Sequence, residues 1–242
     1  MHNMYITEMM DRKTALPRAA QIINRLLNRF NVKLQLVSPW GNGRMCQRMN
    51  LYHLISQVLA YDVPGDVVEL GPYLGQSASL LAKVMQEFQE HQEYPEPQRT
   101  LHVYDAFLVK NSIDILKQNF NRVGAHIPEI YAGWIQDTVP EKLPDQISFA
   151  HIDVGSRISP ELKPLVLHCL EHVYPRLSEG GVCVMQSYCD PAIRGQRSGY
   201  HRPGVKAAAD EFFRDKPKNM YVLYSGDFLI HSHGYFRKQA SA

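Results

Sequence analysis

The stretch Gly65-Asp-Val-Val-Glu69-Leu-Gly71-Pro-Tyr-Leu-Gly75-Gln-Ser77 decides how this chain folds. Its residues 66–70 form a short run rich in β-branched side chains, and a Pro-Gly turn precedes the run while two glycines follow it. This order predicts a strand that opens into a loop. Apolar residues over 77–88 then recur at helical spacing, so the stretch predicts a strand, a loop and a helix in that order.

The same alternation continues along the chain. The patterns predict strands over 101–104, 129–132, 147–152, 182–185, 221–224 and 228–236, and helices over 15–30, 51–59, 112–120, 160–177 and 204–213. Glu179-Gly180-Gly181 is expected to be a turn before the fifth strand. We therefore predict an α/β fold with a doubly wound, mainly parallel seven-stranded sheet of Rossmann-like type over 61–242, preceded by a helical extension over 1–60.

Composition excludes several classes of protein. The chain has 242 residues, 45% of them hydrophobic, and its 26 Lys and Arg nearly balance 24 Asp and Glu. With no basic run longer than two, nucleic acid is not expected as a partner. No apolar stretch approaches the roughly 18 residues of a membrane span, so we expect no membrane partner and a cytoplasmic location.

The glycine loop after the first strand indicates the cofactor. Its glycines are four residues apart, unlike the fingerprint of dinucleotide sites, and Glu69 would repel a pyrophosphate. A cationic cofactor with an amino-acid tail and no phosphate tolerates that carboxylate, and S-adenosylmethionine is the common cofactor of this kind. A tight turn of any α/β protein is the alternative. The candidate binding residues in this stretch are Glu69, Gly71, Tyr73, Gly75, Gln76 and Ser77.

Other strand ends supply further candidates, because ligands of such sheets bind at the carboxyl ends of the strands. Asp105 follows the second strand, where a carboxylate can accept both hydroxyls of a ribose, and Phe107 can face the adenine. Asp153 ends the fourth strand and points to the same side as His151. Tyr73 and Tyr188 either contact the cationic sulfur or pack in the core.

Four segments and the chain end resemble a known family: 65–71, Gly133-Trp134-Ile-Gln-Asp-Thr138-Val-Pro140, 174–181, 209–212, and the terminal 234–238. They are similar to the macrocin O-methyltransferase (TylF-type) family of class I S-adenosylmethionine-dependent enzymes, many of which methylate hydroxyls of natural products. The resemblance implies a homodimer, and an N-terminal region that helps to close the site. It also implies cofactor contacts from Glu69, Gly71, Gly75, Ser77, Asp105 and Trp134, and Gly133 adjoins the last of these.

The chain departs from this family where the family holds magnesium. There, the fourth strand ends in Leu-Asp-Gly-Asp and the fifth in two aspartates before a tyrosine. Here the segments are Ile152-Asp153-Val154-Gly155 and Gln186-Ser187-Tyr188, so only Asp153 remains. One carboxylate with an amide and a hydroxyl is a poor donor set for magnesium, and we predict no metal.

Other groups are then needed for catalysis. His201, in the long loop over 187–203, is the candidate general base, with Asp153 and Tyr188 as further catalytic candidates. His168 and His172 are one helical turn apart, but without a third nearby ligand an ordinary helix face is favoured.

Three functions fit these observations. The first is methylation of a small-molecule acceptor of natural-product type without the family's metal. The acceptor is then expected to be a phenol, thiol, amine or carboxylate rather than an aliphatic hydroxyl. The second is a cyclase or lyase that attacks the aminobutyryl chain of S-adenosylmethionine. The third is a cofactor-binding protein without catalytic activity.

Overall fold

A computed structural model describes residues 26, 42–90, 99–155, 162–189, 203–217, 219–227 and 231–239. The strands are β1 (Asp66–Leu70), β2 (Leu101–Asp105), β3 (Glu129–Ala132), β4 (Ile147–Ile152), β5 (Leu177–Gln186), β6 (Tyr221–Asp227) and β7 (His231–Arg237). The helices are α1 (Asn42–Ala60), α2 (Gln76–Glu90), α3 (Ser112–Val123), α4 (Ile135–Lys142), α5 (Leu162–Arg176) and α6 (Pro203–Phe212).

The strands form one seven-stranded sheet in the order β3-β2-β1-β4-β5-β7-β6. Strands β1 to β5 pair in parallel, whereas β7 runs antiparallel to both β5 and β6. The chain crosses from β3 back to β4, which lies on the other side of β1. Open α/β sheets bind their ligands at such a switch point, outside the carboxyl ends of the strands. The predicted fold class is confirmed.

One local prediction was wrong, and one helix was missed. Strand β5 begins at Leu177, so the expected turn at 179–181 lies inside the strand. The glycines there stay paired, since the N–H of Gly180 donates to the Lys238 carbonyl and the Lys238 N–H donates to that of Gly181. Helix α4 was missed because it is only eight residues long and contains Pro140.

The apolar core lies on both faces of the sheet. One layer packs β-strand side chains against α4, α5 and α6, and the other packs them against α1, α2 and α3. In α1, Ile55 and Val58 are completely buried, and burying a side chain of this size contributes about 1.5–3 kcal/mol. The described end of the N-terminal extension is thus part of the core, while the boundary at residue 60 stays a prediction. The predicted helix over 15–30 lies outside the described residues except for Leu26. None of the described helices combines the length and the apolar character needed to cross a membrane.

Candidate functional site

Backbone hydrogen bonds join the carboxyl ends of four strands. The N–H of Gly71 donates to the Tyr104 carbonyl over 2.9 Å, and the N–H of Asp153 donates to the Leu70 carbonyl over 2.8 Å. The N–H of Gly133 donates to the Asp105 carbonyl over 3.0 Å. The loops that follow β1, β2, β3 and β4 therefore start from one rigid edge.

Two glycines of the loop after β1 are required by their conformation. Gly71 has a φ of 88° and Gly75 one of 77°, which side chains rarely adopt. A Cβ on Gly71 would collide with the Asp153 carbonyl oxygen, and one on Gly75 would lie 2.6 Å from Cγ of Leu116. Gly71 thus lets β1 and β4 approach at the site, whereas Gly75 lets the loop pack on α3.

The Asp105 carboxylate organises the loops around it. One carboxylate oxygen accepts the N–H of Tyr73 over 3.1 Å and the other accepts that of Phe107 over 2.8 Å. Tyr73 and Phe107 have φ values of 53° and 48°, a region that costs a residue other than glycine about 1–3 kcal/mol. Two strained residues bonded to one carboxylate indicate a site held in a fixed shape.

These loops enclose a cleft of about 810 Å³. Asp105 and Asp153 are the charged side chains among the described residues that line it. Its walls are otherwise mostly apolar, and Trp134 lies along it with 57% of its surface exposed. The cleft thus suits a ligand that combines apolar surface with hydroxyl groups or positive charge.

The structure brings six predicted site residues together in the wall of this cleft: Gly71, Tyr73, Asp105, Phe107, Trp134 and Asp153. Four others adjoin the wall without lining it in the described structure: Gly75, Gln76, Ser77 and Gly133. The roles of all ten stay predictions. The cleft wall also includes Ile135 and Gln136, which the sequence did not point to because α4 was not predicted.

Glu69 lies away from the described cleft, and its contact with the cofactor stays a prediction. Its side chain has no exposed surface and does not line the cleft, because alternation along β1 directs it, like Val67, toward α1 and α2. Oε1 of Glu69 lies 2.7 Å from Nδ1 of His151, which is 2% exposed. Sequence reasoning missed this pair, although an acid and a histidine on two strands that pair was the available signal.

The Glu69 carboxylate favours the protonated form of His151. Burial by itself would lower the pKa of His151, but the hydrogen bond and the charge of Glu69 outweigh that effect, and the charge of Asp153 adds to them. The pKa is therefore raised above its ordinary value.

Tyr188 also lies away from the described cleft. It is 2% exposed and belongs to the core, and a Cβ on Gly234 would collide with its ring. The ring packs on β7 and does not line the described cleft, which favours packing, while its predicted site role stays a prediction. His201, the predicted base, lies outside the described residues.

The donor set at the ends of β4 and β5 does not fit magnesium. Gly155 has a φ of 81°, so an acidic residue there would be strained. The side-chain oxygen of Gln186 is hydrogen-bonded to Nε2 of His233. In the described parts of the chain, no group of three or more histidine, cysteine or acidic side chains is placed to hold a metal ion. We therefore derive no chemistry from a magnesium ion at this position. The rings of His168 and His172 lie 4.3 Å apart, and the described residues add no third ligand to them.

Comparison with known proteins agrees with this geometry. Mycinamicin III 3''-O-methyltransferase of Micromonospora griseorubida is 26% identical over 167 residues, which cover 60% of this chain and 63% of that protein. The 8-demethyl-8-(2,3-dimethoxy-alpha-L-rhamnosyl)-tetracenomycin-C 4'-O-methyltransferase of Streptomyces olivaceus is 25% identical over 176 residues, or 62% and 65% of the two chains. The matches therefore span slightly less than two thirds of these relatives.

Solved structures show the same fold. The apo structure of CalS11, a TDP-rhamnose 3'-O-methyltransferase, superposes with a TM-score of 0.61 at 19% identity, over 96% of this chain and 90% of that one. TomG of Streptomyces achromogenes, solved in complex with S-adenosylmethionine, gives 0.56 at 14% identity over 98% and 97%. The model of a family described as "Methyltransferase domain" matches residues 68–188, half of the chain. The chain therefore belongs to this methyltransferase-domain family.

Proposed function

We propose that this protein is an S-adenosylmethionine-dependent O-methyltransferase that acts on a small molecule. The observation that carries the proposal is the Asp105 carboxylate, which two backbone N–H groups hold at the edge of the cleft. Family membership and the fold shared with TomG support the same conclusion.

The described residues fit this cofactor. Each Asp105 oxygen accepts one backbone hydrogen bond and keeps a lone pair for a ribose hydroxyl. Asp153 offers a carboxylate to a positively charged group, and Phe107 and Trp134 offer aromatic surface to an adenine. S-adenosylmethionine supplies, when bound, a methyl group on a cationic sulfur.

The acceptor is proposed to be an oxygen of a natural product, as in the TylF-type family. Both relatives are named as O-methyltransferases, one of mycinamicin III and the other of a rhamnosyl-tetracenomycin. The donor set at Asp153, Gly155 and Gln186 does not fit magnesium, and this favours an oxygen more acidic than an aliphatic hydroxyl. A general base in the loop after β5, closure by the N-terminal region and a homodimer are part of the same proposal.

Product analysis tests the proposal. The pure protein is incubated with S-adenosylmethionine, with and without a panel of phenols, carboxylic acids and glycosides, and the products are identified by mass spectrometry. A methylated acceptor together with S-adenosylhomocysteine supports methyl transfer. Methylthioadenosine formed without an acceptor would instead establish the cyclase or lyase, and binding without any product would leave a non-catalytic protein. The Asp66→Asn variant, altered at the opposite end of β1, is the matched control for loss of activity in Asp105→Ala.

A further inference from the structure

Two polar contacts join helix α1 to strand β7. Near one end of β7, Nδ2 of Asn50 lies 3.4 Å from Nδ1 of His233, which has no exposed surface. Near the other end, Nη2 of Arg237 donates to Oε1 of Gln57 over 3.0 Å. Ile55 of the same helix packs in the apolar core, and such packing alone can hold a helix on a sheet. Because polar groups cost free energy when they are buried, the two contacts call for a reason.

The two contacts have comparable spacings on the helix and on the strand. Asn50 and Gln57 are seven residues apart, so they lie on one face of α1, about 10 Å apart along its axis. His233 and Arg237 are four residues apart, so they lie on one face of β7, about 13 Å apart. When both contacts are made, they fix the position of α1 along the sheet and its rotation about its own axis. A shift of α1 by one helical turn would break both.

Each contact continues into strand β5. Nε2 of His233 donates to the side-chain oxygen of Gln186, the last residue of β5. Nδ1 of a neutral His233 is then left to accept from Asn50, so one tautomer satisfies both partners. Nη1 of Arg237 donates to the carbonyl of Gly180, near the beginning of β5. The two hydrogen-bonded chains therefore tie α1 to β5 through β7.

These partners also define the direction of α1. Gln186 ends β5 at the carboxyl edge of the sheet, where the cleft lies, whereas Gly180 lies towards the opposite edge. Helix α1 therefore begins on the cleft side, and it ends at Ala60, shortly before Asp66 opens β1 at the amino edge. Eight residues of α1 precede Asn50, which is about 12 Å of helix on the cleft side of the first contact.

We propose that the Asn50–His233 and Gln57–Arg237 contacts form a two-point latch that keeps α1 fixed on the sheet when the cofactor binds. This inference rests on the proposed function, in which the N-terminal region helps to close the site, and deepens it. Helix α1 is then the fixed base of that region. Apolar burial supplies attachment without direction, whereas the two hydrogen bonds require one geometry and so set the register of the helix.

Hydrogen exchange followed by mass spectrometry tests the latch in the free protein. Asn50→Leu and Gln57→Met each remove one contact with little change in side-chain size. We expect amide exchange within α1 to become about 5-fold faster in each single variant and about 25-fold faster in the double variant, as for the loss of one and of two hydrogen bonds.

Two further variants are the controls. Gln57→Glu keeps an acceptor for Arg237, so α1 should exchange as in the wild type. Gln86→Met removes a hydrogen bond to Glu90 within α2 and should also leave the exchange of α1 unchanged. If Gln57→Glu exchanged as fast as Gln57→Met, the contact with Arg237 would not be what holds the helix.

The same measurement with S-adenosylhomocysteine tests whether the latch stays closed. Strand β4 is the internal reference, because a bound ligand stabilises the whole folded state. In the wild type, binding should slow exchange in α1 no more than in β4. In the double variant, binding should slow exchange in α1 more than in β4, because the ligand then also orders the released helix.

Other outcomes are decisive in the opposite direction. Wild-type exchange of α1 in both single variants would overturn the latch. A wild type in which binding changes exchange in α1 more than in β4 would overturn the role of α1 as a fixed base, and this comparison holds even if a variant does not fold. A wild type that does not bind S-adenosylhomocysteine would overturn the proposed function, while exchange in the free variants would still decide whether the latch exists.

Discussion

Strand β1 has a carboxylate–histidine pair at each end, and the two differ in almost every respect except chemistry. At the amino end, the side chain of Asp66 is 30% exposed and both partners have further hydrogen-bond contacts. At the carboxyl end, Glu69 and His151 are enclosed, and Oε2 of Glu69 has no hydrogen-bond partner among the described residues. This comparison shows that residue types alone do not distinguish a pair with a structural role from a pair beside a candidate binding site.

The largest expected difference concerns stability. Glu69→Gln removes the carboxylate that contacts His151 in the interior, and breaking a buried pair of this kind by removing one partner costs about 3–5 kcal/mol. Asp66→Asn alters a partly exposed pair, which contributes about 1 kcal/mol or less. Urea denaturation of both variants measures the two costs. Equal losses would remove the distinction between the two ends.

The next difference concerns cofactor binding. Asp105→Ala should weaken binding of S-adenosylhomocysteine by about 1.5–3 kcal/mol, the range for hydrogen bonds to a charged group. Asp66→Asn should leave the affinity unchanged, because Asp66 lies at the opposite edge of the sheet. Calorimetry checks both variants, with circular dichroism to confirm folding. Wild-type affinity in folded Asp105→Ala would exclude Asp105 from the site.

Glycine substitutions compare the site with a surface turn. Gly71→Ala and Gly124→Ala both place a Cβ at positive φ, but only the first meets a backbone atom, since the space around Gly124 is open. We expect Gly71→Ala to lower the free energy of unfolding by about 1–3 kcal/mol more than Gly124→Ala, the range for overpacking. Thermal and urea unfolding of the two variants give this difference. A similar loss in both would mean that the loop after β1 can move away from Asp153.

The smallest expected difference is in how stability depends on pH. This dependence has opposite signs for the pairs at the two ends of β1. His151 faces Glu69, Asp153 and the ring of His233, and its pKa is raised above 6.5. Its stabilising contribution is therefore complete below pH 6.5 and is lost as the pH rises through the raised value.

Asp66 behaves in the reverse way. Burial by itself would raise the pKa of Asp66, but the bonds to His102 and Thr100 and the charges of His102 and Arg99 lower it below 3.8. Its contribution is complete above pH 3.8 and is lost as the pH falls through the lowered value. Stability differences between the wild type and His151→Gln or Asp66→Asn, each changing by at most about 1.4 kcal/mol per pH unit, measure both trends. If the stability difference between the wild type and His151→Gln grew with rising pH, the raised pKa of His151 would be refuted.

Much of the fold was predictable because its signals are local. The run Ile147–Ile152 is apolar throughout and is a central strand buried on both faces, as predicted. The strands Asp66–Leu70 and Glu129–Ala132 also have their predicted bounds. In contrast, the glycines at 179–181 indicate a turn locally, and only their pairing beside Lys238, more than fifty residues later, makes them part of β5.

The sequence by itself determined which strand ends bear acids and which loop needs glycine, because strand periodicity and glycine's freedom at positive φ are properties of neighbouring residues. Tertiary structure decided what those acids contact. Asp105 and Asp153 face the cleft, whereas Glu69 faces α1 and His151, and Tyr188 packs on Gly234. These outcomes depend on which strands become neighbours and on which face of the sheet each helix covers, and residues far apart in the chain settle both.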